Sequence, residues 1–367
     1  MKIFAHIKKY TTIIAIIFNI LVMSATIFSG YGGYISPISM PFAGVMSMTF
    51  PLWIIINLIL LIIYLIFLRK MTLFPVLSLI ICTSPILNFC PLNLGGKDIS
   101  EAKNDNTFTL LTYNVYDFID YRKEYPENSN RTLDYIISTD ADIVCMQECE
   151  YFSPLKRFHV YAHQIDLLKS RYPYRKIDIK GQSIISKYPF EYQDSAYCDF
   201  GWGGITAFKL NINNNDVLIF NIHLQSIGLS DNDKELYKEL TELKTDDNIK
   251  RAKKQLLNKL FDAFKGRAKQ INRLCSFIEK SDVENIIVCG DFNDTPNSYA
   301  IREILRLGFN DAYRKCGLGP TPTYNANRFL FRIDHILYKG NLSATAIKRG
   351  NINSSDHYPL MAVFEWK

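Results

Sequence analysis

Several patterns that define protein classes are missing from this chain of 367 residues. Its 8 cysteines form no Cys-x-x-Cys pair and no Cys/His spacing of a zinc site, so we expect most of them to be buried free thiols. No internal repeat is evident, which argues against a repeat architecture. Charge is missing from residues 46–68 and 73–89, and these stretches are the first indication of how the chain is organised.

Apolar stretches before residue 91 predict three membrane-spanning helices, at 11–29, 46–68 and 73–90. Each is about as long as the roughly 20 helical residues that cross a hydrocarbon core of about 30 Å. We therefore expect residues 1–92 to anchor the chain in a lipid bilayer as a multi-pass region.

Two alternatives apply to individual stretches. A cleaved signal peptide is an alternative for the first, because Lys8 and Lys9 precede it, although no Ala-x-Ala-like site follows. A buried helix of the folded domain is an alternative for the third, which Pro75 and Pro85 interrupt.

Basic residues beside the apolar stretches predict an orientation. Lys8 and Lys9 precede the first stretch, Arg69 and Lys70 follow the second, and residues 30–44 between them carry no charge. By the positive-inside rule, the N-terminus and the second loop are cytoplasmic. The remainder of the chain would then lie in the periplasm or outside the cell. If the third stretch did not span the membrane, the remainder would lie in the cytoplasm instead.

A polar segment at 93–107 predicts a linker, and the pattern changes from residue 108 onward. Strand-like runs then alternate with helix-like pieces, with both hairpin turns and helical crossovers between them. This alternation favours an α/β fold in which two packed sheets are flanked by helices, in one domain at 108–367.

A basic amphipathic helix is predicted at 252–277, where leucines and phenylalanines are interspersed with lysines and arginines. We expect its apolar face to dock on its own domain, and the alternative is that it lies on anionic lipid headgroups. The net charge of +6 is compatible with polyanionic partners but does not require them.

Short polar clusters at the ends of the strand-like runs are the candidates for chemistry. Because strand ends can meet at one edge of a sheet, we expect these clusters to converge. In chain order they are Asn114, Gln147-Glu148, His223, Asp291 with Asn293, Asp334-His335 and Asp356-His357.

The oxygen donors in these clusters predict a divalent metal site. Carboxylates and amide carbonyls are hard ligands that suit Mg²⁺, Mn²⁺ or Ca²⁺ rather than zinc. Magnesium typically takes one or two carboxylates and keeps several waters, which leaves room for a substrate phosphate. A phosphate ester is therefore the predicted substrate, with a metal neutralising the charge that develops during hydrolysis.

The histidines supply proton chemistry near neutral pH. We assign Asp334 as the carboxylate that orients His357, and we expect His223 to donate a hydrogen bond to a phosphoryl oxygen. His335 follows Asp334 directly, so strand alternation turns its side chain to the other face, and we treat it as structural.

Seven short motifs, in order, resemble those of the endonuclease/exonuclease/phosphatase superfamily: TYNV, MQE, IISKYP, NIHL, GDFND, RIDHI and SDHYPL. The resemblance covers about residues 108–367 and implies a four-layered α/β sandwich that hydrolyses a phosphoester with Mg²⁺ or Mn²⁺. It implies metal-site roles for Asn114 and Glu148, with Glu148 the central ligand, and a metal or supporting role for Asp356. It further implies the following roles: Asp291 orients or deprotonates the attacking water, Asn293 holds phosphate, and Asp334 with His357 forms a dyad.

The substrate stays open at this point. His223 in NIHL is more similar to the deoxyribonuclease, sphingomyelinase and inositol-phosphatase branches than to the apurinic-endonuclease branch, where a tyrosine usually stands. The leading hypothesis is a membrane-anchored phosphodiesterase or phosphatase acting on nucleic acid, phospholipid or sugar phosphate. The alternatives are an extracytoplasmic nuclease and, from another class, a non-catalytic membrane-tethered binding module.

Overall fold

The structure of the protein is a computed structural model. It describes residues 2–119, 129–149, 161–177, 181–193, 198–199, 203–228, 247–326 and 331–367. The cysteines recorded among these residues are free thiols.

The N-terminal helical region, residues 2–92, consists of helices joined by short turns. Its helices are α1 (Lys2–Tyr31), α2 (Pro41–Met48), α3 (Phe50–Phe67), α4 (Leu73–Ile81) and α5 (Thr83–Phe89), with 3₁₀ turns at Gly32–Tyr34 and Arg69–Thr72. Asn57 on α3 donates hydrogen bonds to Thr26 Oγ1 on α1 at 2.7 Å and to a carbonyl of its own helix. Such polar contacts join helices whose other surfaces are apolar.

Two of these helices are long and apolar enough to cross a membrane, Tyr10–Tyr34 and Phe50–Phe67. The third predicted span is a pair of helices, Arg69–Ile81 and Thr83–Phe89, that meet at 62°. Pro85 accounts for the bend, because a proline ring clashes with the carbonyl four residues earlier, here that of Ile81, where the first helix of the pair ends.

The remainder of the described chain forms two β-sheets. The strands are β1 (Thr107–Asn114), β2 (Ile143–Gln147), β3 (Tyr174–Lys176), β4 (Ser183–Ser186), β5 (Phe190–Tyr192), β6 (Cys198–Asp199), β7 (Gly204–Ile212), β8 (Asn215–His223), β9 (Asn285–Asp291), β10 (Asn310–Asp311), β11 (Asp334–Lys339), β12 (Leu342–Arg349) and β13 (Leu360–Trp366). Among the described residues, the first sheet has the order β12-β13-β1-β2-β4-β3. The second has the order β10-β11-β9-β8-β7-β5, and β6 pairs with β7.

Helices cover the outer face of each sheet, which completes four layers. These helices are α6 (Ile99–Ala102), α7 (Arg131–Thr139), α8 (Ala162–Arg171), α9 (Asp247–Glu279) and α10 (Tyr299–Arg306). The short helix α11 (Ala312–Cys316) instead packs Ala312 into the core between the sheets. One apolar core lies between the sheets, a second joins α9 and α10 to the second sheet, and a third joins α7 and α8 to the first. The predicted α/β sandwich is confirmed.

The basic helix α9 docks on its own domain, as expected. Its buried side chains include Ala263, Phe264, Ile271 and Leu274, of which Ile271 and Leu274 pack in the core of the second sheet. Phe264 instead faces the helical region, because a Cβ placed on Gly44 of α2 would meet its ring at 2.7 Å. One face of this helix therefore contacts both parts of the molecule.

The predicted linker at 93–107 packs on the domain. Asn93 donates to the carbonyls of Arg314 and Gly317 at 3.0 and 2.7 Å. The short helix α6 begins with a capping box of Asp98 and Glu101, and its Ala102 is buried against the first sheet. The segment therefore fixes the helical region to the domain.

Asn297 is the centre of the contact between the two parts. Its side-chain oxygen accepts from Asn88 Nδ2 at 2.7 Å, and its amide donates to the Pro85 carbonyl at 3.2 Å. Its own carbonyl accepts from Ser47 Oγ at 2.9 Å and lies so near Gly33 that a Cβ there would clash with it. Because Asn297 is fully buried, these contacts fix the loop 294–298, which begins three residues after Asp291.

We expect Asn88→Leu to accelerate amide hydrogen exchange in the loop 294–298 by about tenfold or more. The reason is that it leaves the buried oxygen of Asn297 unpaired, which costs about 1–3 kcal/mol. The measurement is hydrogen exchange with mass spectrometry on the detergent-solubilised full chain. Asn57→Leu is the matched control, because it removes a buried amide from the helical region away from Asn297. Equal exchange of this loop in wild type and Asn88→Leu would contradict the contact.

Candidate active site

Strand alternation brings the predicted side chains to one place. In the strands β1, β2, β8, β9 and β11, every second residue faces the space between the sheets. Along these faces apolar residues such as Ile219 and Ile287 form the core between the sheets. At one end of each of these strands the inward-facing residue is polar instead. These terminal residues are Asn114, Gln147, His223, Asp291 and Asp334.

The strand register puts these polar ends level with one another. His223 lies opposite Asp291 in the parallel pair of β8 and β9, and Asp334 lies opposite Asp291 in the antiparallel pair of β9 and β11. In the first sheet, Asn114 lies opposite Gln147. The expected convergence at one sheet edge is therefore present in the backbone itself.

Two site residues depend on a left-handed backbone. Glu148 directly follows Gln147, so simple alternation would turn its side chain away from the space between the sheets. Its φ of 49° breaks the alternation, and Asn293 has a φ of 50° after β9. Non-glycine residues in this conformation are uncommon and cluster at functional sites.

Asp291 Oδ2 is the centre of the site. It lies 3.6 Å from His223 Nε2 and 3.6 Å from His357 Nε2. The same His223 Nε2 lies 3.6 Å from Glu148 Oε1. Ligand atoms of Glu148, His223 and Asp291 lie within 4.8 Å of one another, as do those of Asp291, Asp334 and His357. The two groups share Asp291.

Asn114 connects the two carboxylates. Its Nδ2 donates to Glu148 Oε1 at 3.0 Å and to Asp291 Oδ2 at 3.2 Å. Its Oδ1 accepts from the backbone N–H of Tyr116 at 3.2 Å, which fixes the direction of the amide. In this arrangement Asn114 orients Glu148 and Asp291, and its oxygen points away from the space between them.

His357 and Asp334 form the predicted pair. His357 Nδ1 donates to Asp334 Oδ2 at 2.9 Å, which leaves Nε2 facing Asp291. Burial lowers the pKa of His357, but the charges of Asp334 and Asp291 outweigh it and raise the pKa well above the ordinary value. Burial raises the pKa of Asp291, and the positive charge on His357 opposes this.

Asn293 and Asp356 lie at the margins of the cluster. Asn293 Nδ2 donates to the Leu224 carbonyl at 2.9 Å and to Asp291 Oδ2 at 3.3 Å, and its backbone N–H donates to Asp291 Oδ1. Burial raises the pKa of the Asp356 carboxyl; His357 lowers it, and the charges of Glu148 and Asp291 raise it further. Asp356 is therefore close enough to act on the site electrostatically, although among the described residues it belongs to neither group of ligand atoms.

A buried amide bridge behind the site joins the two sheets, and no role was predicted for it. Gln147 Nε2 donates to Asn221 Oδ1 at 2.7 Å, and Asn221 Nδ2 donates to the carbonyls of Met146 and Ser183. Asn221 lies two residues before His223 on the same face of β8. The spacing of Asn221 and His223 in the NIHL motif could have indicated that both side chains face the space between the sheets. The bridge holds the two sheets together next to Glu148 and His223, because Gln147 directly precedes Glu148 and Asn221 lies two residues before His223.

Two further residues support His357. Tyr324 contacts the His357 ring edge to face, with the ring centres 5.1 Å apart. Ser355 Oγ accepts from the His357 backbone N–H at 3.1 Å and donates to the Asn114 carbonyl at 2.8 Å. Tyr324 lies outside every motif, so no local sequence signal indicated it.

His335 is buried on the opposite face, as predicted for a structural histidine. Its Nε2 donates to the Asp294 carbonyl at 3.0 Å, and its Nδ1 faces Arg332 Nη1 at 3.3 Å. Burial and the neighbouring Arg332 lower the pKa of His335 to about 3, while Asp311 and the Asp294 carbonyl oppose the shift. The imidazole is therefore neutral in the folded protein at neutral pH.

This neutral His335 predicts a loss of stability in acid. Its unfolded pKa is about 6.5, so between this value and about 3 only the unfolded state takes up the proton. Stability is complete above pH 6.5 and should fall by about 1.4 kcal/mol per pH unit below it from this residue alone. Urea unfolding of wild type and His335→Gln from pH 7 to 4 measures this slope. The exposed His163→Gln is the control, and equal slopes in wild type and His335→Gln would refute the assignment.

The site fits a divalent cation. The carboxylates of Glu148 and Asp291 approach each other closely, and among the described residues neither forms an ion pair with a lysine or arginine. Glu148 is 35% exposed, so a cation between the two would keep bound waters. Carboxylates with this geometry repel one another unless a cation or a proton lies between them.

A model described as the Endonuclease/Exonuclease/phosphatase family matches residues 111–357. The match covers more than half of the chain, so the protein belongs to the endonuclease/exonuclease/phosphatase family. Members of this family are metal-dependent phosphoester hydrolases, and this chain is an enzyme of that class. A second model, a domain of unknown function (DUF8431), matches residues 11–89.

Solved structures of proteins from several organisms are similar to the structure of this chain. An endonuclease/exonuclease/phosphatase from Beutenbergia cavernae is 14% identical with a TM-score of 0.49, over 71% of this chain and 72% of that one. A family protein from Leptotrichia buccalis is 16% identical with a TM-score of 0.46, over 71% and 100%. Truncated TDP2 from Caenorhabditis elegans is 16% identical with a TM-score of 0.44, over 71% and 97%. A comparison with curated proteins found no match.

Proposed function

We propose that the protein is a membrane-anchored phosphoesterase that hydrolyses a phosphodiester or phosphomonoester by attack of an activated water. The observation that carries this proposal is the arrangement around Asp291 Oδ2, with both imidazole Nε2 atoms at 3.6 Å and Asn114 at 3.2 Å. Carboxylates and imidazoles held this close in a half-buried cleft suit proton transfer to and from a phosphoryl group.

Glu148 is the proposed central ligand of Mg²⁺ or Mn²⁺, and Asn114 and Asp356 are the proposed supporting residues of the metal site. Glu148 combines a partly exposed carboxylate with a backbone that turns it into the cleft. Asn114 would act mainly by orienting Glu148, and Asp356 by adding negative charge nearby. When bound, the ion would neutralise charge that develops on the phosphoryl and leaving-group oxygens.

The proposed proton path uses Asp291, Asp334 and His357. Asp291 accepts a hydrogen bond from the attacking water and orients it. His357 Nε2 lies 3.6 Å from the Asp291 oxygen that would accept this bond. Asp334 fixes the tautomer of His357 and stabilises its charged form, so the imidazole can exchange a proton with the reacting oxygens.

His223 and Asn293 are the proposed phosphate-binding groups. His223 lies across the site from His357, and its Nε2 can donate to a phosphoryl oxygen once it is not shared with Glu148 and Asp291. Asn293 keeps Asp291 in place through its backbone and side-chain amides. Its contact with phosphate would replace the bond that Nδ2 makes to the Leu224 carbonyl.

Membrane anchoring rests on the two long apolar helices and the bent pair. Only 28% of the apolar stretch of the first long helix and 17% of that of the second are buried in the protein. Their exposed leucine and isoleucine side chains therefore present the large apolar surface that a bilayer covers. The positions of Lys8, Lys9, Arg69 and Lys70 favour a catalytic domain in the periplasm or outside the cell. A reporter fused after Lys367 should be active only on that side, and activity confined to the cytoplasm would refute this topology.

A substrate panel tests the function itself. Purified full-length protein with magnesium would be assayed on single- and double-stranded DNA, sphingomyelin-like lipids and inositol phosphates. We expect hydrolysis of at least one class, abolished by EDTA. DNA as the substrate, with strongly salt-dependent binding, would favour the extracytoplasmic nuclease. A protein inert on every phosphoester would instead favour the non-catalytic binding module.

A further inference from the structure

A half-buried arginine, which has no acidic partner among the described residues, lies where the helical region meets the catalytic domain. The Nε and Nη2 atoms of Arg302 in α10 are buried and have no hydrogen-bond partner among the described residues. Its guanidinium carbon lies 4.7 Å from the centre of the Tyr34 ring. A guanidinium remains charged at physiological pH, and burying a charge without a partner is costly.

No carboxylate among the described residues compensates this charge. The acid that follows it on α10, Glu303, pairs with Arg306 at 2.8 Å. Arg314 adds a second positive charge at this junction: burial lowers the pKa of Arg302, Tyr34 raises it, and the charge of Arg314 lowers it. Arg314 is held at this junction by Asn88 and by Ser84, whose Oγ lies 3.4 Å from its Nη2.

This pair of arginines lies at the end of the apolar helices. Tyr34 ends the candidate span Tyr10–Tyr34, and Ser84 belongs to the bent pair. Tyr34 is 64% exposed, and the apolar side chains of Ile38 and Phe42 beyond it are also exposed. Tyrosine at the end of a span is typical of the membrane–water interface, which is where lipid headgroups lie.

We propose that Arg302 binds the phosphate of an anionic phospholipid headgroup, with Arg314 supplying a second positive charge and Tyr34 packing on the guanidinium. The proposal rests on the membrane anchoring proposed above, but not on the catalytic site. The planar fork of a guanidinium matches two phosphate oxygens, and basic pockets beside membrane helices hold headgroups. The uncompensated charge at Arg302 would then have its partner in the bilayer.

The test is thermal unfolding of the detergent-solubilised full chain with added phosphatidylglycerol, phosphatidylcholine or inorganic phosphate. We expect phosphatidylglycerol to raise the midpoint of the wild type more than the other two additives do. Arg302→Met should weaken the apparent affinity for phosphatidylglycerol about tenfold or more. Arg306→Met is the matched control, because this exposed arginine lies one turn further along the same helix and already has an acidic partner.

A second readout separates lipid binding from a structural role. Without lipid, Arg302→Met should be at least as stable as the wild type, since it removes a half-buried charge that has no acidic partner among the described residues. Arg302→Lys keeps the charge but loses the planar fork, so its affinity should lie between the two. Equal protection by phosphatidylcholine or by inorganic phosphate, or an Arg302→Met variant that still binds phosphatidylglycerol like the wild type, would overturn the proposal. None of these measurements depends on hydrolysis, so they stand apart from the proposed activity.

Discussion

His357→Ala is expected to lower kcat/KM for a phosphoester substrate by about 10²–10⁴-fold. The imidazole is almost fully buried, its Nδ1 is held by Asp334 at 2.9 Å, and its Nε2 faces the centre of the site. Alanine removes the imidazole that exchanges a proton with the reacting oxygens while Asp334 orients it. Asp334→Asn should lower kcat in the same direction, because an amide can favour the other tautomer of His357.

Steady-state kinetics on the best substrate of the panel measure this effect. The exposed His163→Ala is the control and should leave kcat and KM unchanged. The loss in His357→Ala should fall mainly on kcat, since a proton-transfer group acts in the transition state more than in binding. A variant that only raises KM, or that keeps full activity, would remove His357 from the proposed path.

Glu148→Gln is expected to weaken cation binding and activity by about 10–100-fold or more. Glu148 is 35% exposed whereas Asp291 is 2% exposed, and the left-handed backbone of Glu148 directs it to Asp291. The amide keeps the shape and the bond from Asn114 but removes the charge that a divalent ion requires. Activity of the wild type should be lost in EDTA and restored by Mg²⁺ or Mn²⁺.

A stability measurement makes this prediction independent of the substrate. An ion that binds only the folded protein stabilises it by about 2.7 kcal/mol at 100 times its Kd. The wild type should therefore gain stability with added Mn²⁺, while Glu148→Gln should gain little at the same concentration. Glu279→Gln, an exposed acid at the end of α9, is the control. Equal stabilisation of wild type and Glu148→Gln would show that the ion binds elsewhere.

Local patterns in the sequence predicted several elements well. The three asparagines at 213–215 predicted a turn, and Asn213 and Asn214 adopt the left-handed backbone that joins β7 to β8. Asn130 was the candidate N-cap, and its side-chain oxygen accepts from the backbone N–H of Leu133 at 3.1 Å in the first turn of α7. Each of these features depends only on neighbours along the chain, which is why a sequence reveals them.

Contacts between distant parts of the chain had no such signal. The amide bridge from Gln147 to Asn221 joins residues of different sheets, and the bonds of Asn297 reach Asn88 and Ser47, both far away in the sequence. Spacing along the chain does not encode which elements pack together. Likewise, the sequence did not show that the predicted linker at 93–107 packs on the domain through Asn93 and Ala102.

The candidate site was predictable where it follows strand alternation. His223, Asp291 and Asp334 end inward-facing rows, so their convergence follows from period-two patterning once the strands are paired. Glu148 does not follow this rule, and only its left-handed backbone turns it into the cleft. The direction of the Asn114 amide was also hidden, because it depends on the backbone N–H of Tyr116.

Every proposed catalytic role depends on one pocket, formed by Glu148, His223, Asp291 and His357, that holds a divalent cation against a phosphoryl group. Pulsed electron paramagnetic resonance of Mn²⁺ bound to the full chain, with added inorganic phosphate, tests this most directly. We predict a ³¹P coupling to the bound Mn²⁺ in the wild type, lost together with tight Mn²⁺ binding in Glu148→Gln and Asp291→Asn. Mn²⁺ that binds both variants as tightly as the wild type, with the same ³¹P coupling, would contradict it.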